Sequence, residues 1–291
     1  VGSDPDGTWG TTREQALRRL DEFIALRLPR FGPHQDAMLA DRWSMRHSLI
    51  SPYLNLGLLD PAEVCDAVEA AYRSGDVPVE SAEGFIRQVI GWREYVWGVY
   101  WLWGPEYRRR NELSAERPLP PAFSGGSTDM RCLDVTLRTV DEYGYAHHIQ
   151  RLMVIANLGL IAGIRPDELT RWMRASFVDA ADWVMVPNVV GMGLYADGGM
   201  MATKPYAAGG NYISKMSDYC GDCRYDPKQR TGPDACPYTT LYWDFLDRNQ
   251  DVLADNHRTA RQRAAARRLA DMPEVRERAE EVLVLLDRGQ L

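Results

Sequence analysis

Tyr145-Ala146-His147-His148-Ile149-Gln150-Arg151-Leu152-Met153-Val154-Ile155-Ala156-Asn157-Leu158-Gly159-Leu160-Ile161-Ala162 opens polar and turns almost wholly apolar. The longest apolar run of the chain, Leu152 to Ile164, is interrupted by Asn157, Gly159 and Gly163. It falls short of the about 20 residues needed to cross a bilayer, so the stretch predicts a helix over 146–162 and no membrane span. On that helix His147 stands i to i+4 from Arg151, and His148 stands i to i+3, so the three side chains cluster. A lone histidine is more often structural than catalytic. Two adjacent ones beside an arginine form the most chemically loaded group in the sequence, because imidazole titrates near neutrality and can move a proton.

Working outward, the same helical spacing recurs. Ala16, Leu17, Leu20, Phe23 and Ile24 follow Thr11-Thr12-Arg13-Glu14, which has capping-box form, and Pro29 ends that helix. Further helices are predicted at 47–57, 61–73, 81–102, 131–143, 167–177, 238–250, 257–270 and 274–287. Asp60-Pro61 and Arg165-Pro166-Asp167 suit helix starts, where proline is tolerated in the first turn. No sustained period-two pattern and no internal repeat is present. The fold class is mainly α.

The bulk numbers narrow the partners. With 291 residues and 45% hydrophobic content, the chain can build one large core or two smaller ones. A net charge of −7 gives no global basic signature for nucleic acid, which leaves only a local patch. Nine Trp and fourteen Tyr serve most simply as core, and also suit a flavin- or base-binding protein. No charged-then-apolar segment opens the chain, so a cytoplasmic protein is expected. Val1-Gly2-Ser3-Asp4-Pro5-Asp6-Gly7 reads as linker. The expected organisation is a linker over 1–10, a helical domain over 11–186, and a loop-rich region with C-terminal helices over 187–291.

Residues 116–129 and 187–237 do not read as helix. A polar, irregular stretch of the second kind is unusual in a compact domain unless something organises it. It holds Cys220, Cys223 and Cys236, spaced C-x2-C-x12-C, with Cys132 far upstream and Cys65 as a fifth cysteine. Two thiolates separated by two residues can face one metal from a tight turn, and Cys132 or Cys65 can supply a fourth ligand. A lone cysteine is more often a small buried apolar residue, and Cys65 is assigned to that class. Disulfides are not expected without a secretory signal. Spacing alone leaves zinc and iron–sulfur both open, with a slight lean to zinc.

Several segments in order resemble the photolyase/cryptochrome superfamily, and within it the bacterial iron–sulfur branch that includes prokaryotic (6-4) photolyases. They are His47 to Asn55, Gln88 to Tyr95, Tyr145 to Met153, Pro187 to Met192, Met201 to Tyr206 and Ser217 to Cys220, spread over roughly 30–245. The resemblance implies a helical FAD-binding domain and a [4Fe–4S] cluster on Cys132, Cys220, Cys223 and Cys236. It also implies an N-terminal antenna domain, absent from this chain, and a monomer acting on UV-damaged DNA. The implied cofactor-binding residues are Ser48, Ser51, Gln88, Arg93, Arg151, Asp179 and Asn188. Trp92 and Arg93 are expected to line the cavity, Arg151 to pair with Asp179, and Tyr206 to border the same space. Apart from the resemblance, Ser48 and Ser51 read as ordinary capping residues of a helix start.

By the same resemblance the function is light-driven repair of (6-4) photoproducts, with His148 as proton donor, His147 as its neighbour and Trp172 as the flavin-proximal electron donor. The sequence departs from the family pattern at Ser124, Met173 and Met185, which puts the photoreduction route in doubt. Arg258, Arg261, Arg263, Arg267 and Arg268, with Arg108, Arg109 and Arg110, are candidate phosphate contacts, although a charge run is ordinarily a solvated face. The competing functions are a cryptochrome-like photoreceptor without repair and a zinc-bearing helical DNA-binding module.

Overall fold

The computed structural model describes Asp4 and residues 7–291. Most of the linker expected over 1–10 lies outside those residues, but its end is tied down. The Trp9 indole donates to the Tyr143 carbonyl (2.8 Å), and the Gly10 amide donates to the Tyr53 hydroxyl (2.9 Å).

The longer helices are α1 (Arg13–Leu26), α2 (Pro61–Arg73), α3 (Val79–Ile86), α4 (Arg93–Trp103), α5 (Arg131–Tyr143), α6 (Pro166–Ser176), α7 (Pro237–Arg248) and α8 (Met272–Asp287). Local chemistry fixes their ends. Asp60 accepts the Ala62 amide while Glu63 reaches back to the Asp60 amide, and Pro61 fills the first turn of α2. On α1 the capping box is Thr12 with Gln15, one residue later than the Thr11–Glu14 pair expected, because the longer Gln15 amide takes the Thr11 and Thr12 amides together. Gly144, at φ 59°, closes α5 in the left-handed conformation that glycine tolerates. The described residues hold isolated bridges and no sheet. No helix among them is long and apolar enough to cross a membrane.

The apolar side chains form two cores. The smaller gathers Leu20 and Phe23 of α1, Val64 and Val68 of α2 and Phe85 of α3 around Phe31, Ile50 and Tyr53. The larger runs from α4 to the C-terminal end and centres on the fully buried Val154, Ile155, Leu158 and Ile161. It passes through Met185, Val186, Val189 and Val190 without a break, so the boundary expected at 186/187 does not coincide with a change of core. Cys65 sits in the smaller core, as its apolar assignment anticipated.

Three helical stretches contain a π turn: Arg87–Trp92, Gln150–Ala156 and Pro187–Gly193. Such turns insert a residue into an α-helix and concentrate at functional sites. All three of these face one cavity.

Candidate flavin cavity and cysteine cage

The cavity, of about 310 Å³, lies at the seam of the two cores. Phe31, Ile50, Leu54, Phe85 and Val89 line it from the smaller core, and Val96, Leu152, Met173, Met185 and Val189 from the larger. The π turns deliver Gln88, Val89 and Trp92, then Arg151, Leu152 and Ala156, then Asn188, Val189 and Met192. A mostly apolar concave surface with a few convergent polar groups is the usual form of a cofactor site. A second cavity of about 540 Å³ borders Arg117 and Arg248, whose charges are already paired with Asp287 and Asp244.

The polar side of the first cavity is built on Asp179. Arg151 grips its carboxylate through both nitrogens (Nη1 to Oδ1 2.9 Å, Nη2 to Oδ2 3.1 Å), and Ser51 Oγ donates to Oδ2 at 2.7 Å. The Arg151 guanidinium also packs over Phe177 and Tyr145, which hold its plane. Arg93 donates to Asn55 Oδ1 (2.9 Å) and the Leu54 carbonyl (3.2 Å), and stands over the Trp183 ring. Burial lowers its pKa from the ordinary arginine value. The predicted Ser48, Ser51, Gln88, Trp92, Arg93, His148, Arg151, Asp179 and Asn188 therefore meet around one space. The helix expected over 47–57 is only Ser51–Asn55, preceded by Leu49 in the left-handed region (φ 60°). Neither serine caps it through its side chain, and the Ser51 proton goes to Asp179 instead.

The histidines are arranged differently from the sequence expectation. His148 opens onto the cavity although protein surrounds it, and burial first, then Arg151, brings its pKa down to about 4. His147 is fully buried and does not line the cavity; its ring stacks on His47 (centroids 4.5 Å, 9°). His47, which the sequence did not single out, lines the cavity and has its pKa lowered to about 3, chiefly by burial. Its Nε2 and both ring nitrogens of His147 are buried without a hydrogen-bond partner.

Other expected side chains lie elsewhere. Trp172 donates to the Phe123 carbonyl (2.7 Å) and packs on Phe123 and Phe177, outside the cavity lining. Tyr206 is not a lining residue either. Met173 and Met185, two of the departures, point their buried thioethers at the cavity, and Ser124 is exposed. Of the arginine run, Arg263 is buried, bound to Thr259 Oγ1 and the Ala254 carbonyl, whereas Arg258, Arg261, Arg267 and Arg268 are exposed. Arg108, Arg109 and Arg110 are each paired with an acid, Asp182, Glu106 and Glu112.

Cys132, Cys220, Cys223 and Cys236 line one small cavity together with Met130, Ile213, Tyr219, Tyr225 and Tyr238. Cys132 is in the first turn of α5, Cys220 on the turn Tyr219–Asp222, Cys223 just after it, and Cys236 at the N-cap of α7. Burial and the neighbouring sulfurs raise the Cys132 thiol well above its ordinary value, and burial takes Cys236 to about 11. Among the described residues no three His, Cys, Asp or Glu side chains are close enough to hold a single metal ion. Gly210 closes the cage: a Cβ there would stand 2.7 Å from Cys236 Sγ and 3.0 Å from Thr239 Oγ1.

A helical fold with a deep cavity between two cores defines a photolyase-like domain. Two solved structures share that fold. A bacterial class III photolyase from Agrobacterium tumefaciens aligns with a TM-score of 0.62 at 20% identity, over 99% of this chain and 60% of the other. A Synechocystis cryptochrome aligns at 0.53 and 19%, over 64% and 40%. In sequence, the chain is 51% identical over 263 residues, 90% of its length, to the (6-4) photolyase of Agrobacterium fabrum strain C58, and spans 52% of that protein. It is 37% identical over 99 residues to the uncharacterised protein R855 of Acanthamoeba polyphaga mimivirus, 34% of this chain and 73% of that one. No model of a known protein family matches. The chain belongs to the photolyase/cryptochrome family. Membership implies FAD.

Proposed function

We propose that this chain is the FAD- and cluster-holding part of an enzyme that repairs (6-4) photoproducts in DNA with light. The observation that carries this reading is the first cavity, where three π turns bring Arg151, Asp179, Arg93, Asn188 and His148 to one apolar chamber. The chamber fits a flavin in its chemistry: fixed guanidinium groups stand beside apolar walls, and the buried Nε2 of His47 lacks a partner. When bound, FAD supplies an electron raised by blue light. Ser48, Ser51, Gln88, Arg93, Arg151, Asp179 and Asn188 would hold it.

The remaining work falls to the side chains. Arg151, neutralised by Asp179 but kept in place by Phe177 and Tyr145, stabilises negative charge without leaving its pocket. His148 is neutral at pH 7, since its pKa lies near 4. It acts as a hydrogen-bond donor to the lesion, and an approaching phosphate raises its proton affinity by removing part of the repulsion from Arg151. Proton transfer at the imidazole then follows electron arrival. His147, walled off behind His47, positions that helix turn rather than touching substrate. The damaged dinucleotide must leave the stack to reach this depth, which is cheapest where the lesion has weakened stacking. Arg258, Arg261, Arg267 and Arg268 offer exposed phosphate contacts.

The cysteine cage supports a cluster rather than one zinc ion. Four sulfurs ring a cavity instead of converging on a point, whereas zinc needs all ligands about 2.3 Å from one centre. The missing side chain at Gly210 leaves the room. The test is illumination of the reduced protein with an oligonucleotide containing a (6-4) photoproduct, followed by chromatography for restored thymines. Repair in the wild type, lost in His148→Ala with flavin still bound, is the expected result. A flavin-bearing protein that converts nothing under blue light refutes the repair function and leaves a photoreceptor.

A further inference from the structure

We propose that Trp183, Trp97 and Trp101 form an electron relay that carries reducing equivalents from a thiol at the surface to flavin in the first cavity. The proposal rests on the flavin reading above and supplies what Trp172 does not. The ring neighbours of Trp172 are Phe123 and Phe177, and phenylalanine is far harder to oxidise than indole. Beyond Phe123 stands an exposed serine, Ser124.

The other three indoles touch in sequence. Trp183 lines the cavity. Its ring meets Trp97 with centroids 5.3 Å apart at 75°, and Trp97 meets Trp101 at 5.5 Å and 64°. Edge-to-face rings at such separations are in van der Waals contact, so each transfer crosses a single contact. The helical spacing of α4 places Trp97 and Trp101 at i and i+4 on one face, and the short helix Asp182–Val186 brings Trp183 against it. Trp101 is 63% exposed, and Trp97 43%. Exposed indoles of this size are otherwise an apolar liability, and no packing requirement accounts for Trp101.

Electrostatics give the chain a direction. The Arg93 guanidinium lies 4.6 Å over the centroid of Trp183. A cation on that face disfavours the positive charge left when Trp183 gives up an electron, which drives the hole outward. At Trp101 water stabilises the same charge. Each indole thus passes one electron inward and is refilled from its outer neighbour, and Trp101 is refilled by the thiol. Two electrons delivered convert two thiols to one disulfide and release two protons to solvent, one of which is taken up with the reduced flavin.

The experiment uses FAD-loaded protein under blue light with dithiothreitol as the thiol, comparing Trp183→Phe, Trp97→Phe, Trp101→Phe and Trp172→Phe. The readouts are loss of oxidised-flavin absorbance, the transient tryptophan-radical signal, and reduction by dithionite, which bypasses the relay. The expected result is a fall of about ten-fold or more in photoreduction for Trp97→Phe and Trp183→Phe. Trp101→Phe, a surface change that leaves packing alone, should fall several-fold and lose thiol dependence. Bound flavin and dithionite reduction should stay as in the wild type, which a merely structural role would not allow. Wild-type photoreduction in Trp97→Phe with flavin in place, or failure of Trp172→Phe alone, overturns the relay. A wild-type chain that binds no FAD overturns the cavity reading and the relay together.

Discussion

Asp179→Asn replaces a carboxylate with an amide of the same shape at the point where the cavity's polar wall is anchored. In the wild type Asp179 accepts two bonds from Arg151, at 2.9 and 3.1 Å, and one from Ser51 at 2.7 Å. The pair is well buried, with side chains only 16% and 7% exposed. The amide keeps one acceptor oxygen and turns an NH₂ toward a guanidinium, so one charge-assisted bond is lost and Arg151 is left uncompensated. Loss of a bond to a charged group costs about 1.5–3 kcal/mol, and breaking a buried pair about 3–5 kcal/mol. Arg151 keeps its Ala146 carbonyl and its aromatic neighbours, which favours the lower end, about 3 kcal/mol. At about 2–4 °C per kcal/mol for a chain of this size, the melting temperature should fall by roughly 6–12 °C. The assay is thermal unfolding by circular dichroism of Asp179→Asn, Arg151→Met and the double variant. The two changes should couple by about 2 kcal/mol, because removing the second partner relieves the charge stranded by the first. A loss under about 1 kcal/mol in Asp179→Asn, or strict additivity, would refute the argument that this pair anchors the wall.

Three further outcomes follow from the histidines and the cage. His147 is buried with its pKa well below the ordinary value, so the unfolded chain binds a proton that the folded chain refuses below about pH 6.5. Stability must then fall as pH drops from 6.5 toward 4, by about 1.4 kcal/mol per pH unit from this group, and His147→Phe, which keeps the stack on His47, should flatten that slope in urea unfolding. Gly210→Ala puts a methyl 2.7 Å from Cys236 Sγ and should lower iron bound per chain, measured by elemental analysis, while circular dichroism keeps its helical content. Cys223→Ala should make 217–236 sensitive to limited proteolysis, since that segment has a ladder of turns and little helix of its own; unchanged resistance would count against a cluster organising it.

Much of the fold was legible in the sequence. The bounds of α2 and α5 follow from Asp60-Pro61 with Glu63 and from Gly144, signals that act over a few residues. The Arg151–Asp179 pair and the shared cysteine cavity were anticipated through the family resemblance. The π turns were not legible, because one inserted residue leaves the apolar periodicity of a helix almost unchanged. Trp183 sits on a five-residue helix too short to show a period, so its part in the cavity had no sequence signal. His47 was inside a quoted motif, yet only tertiary packing sets it against His147 and the cavity, leaving His147 behind it. Arg263 shows the opposite error: within a run of arginines it looked solvated, but its spacing from Thr259 turns it inward.

The most direct measurement is titration of the flavin-free chain with FAD, following tryptophan fluorescence together with flavin absorbance. Saturation at one FAD per chain, with quenching diminished in Trp183→Phe and binding weakened in Asp179→Asn, is what the cavity requires. A chain that leaves FAD in free solution at every concentration, with its indoles undisturbed, would contradict it.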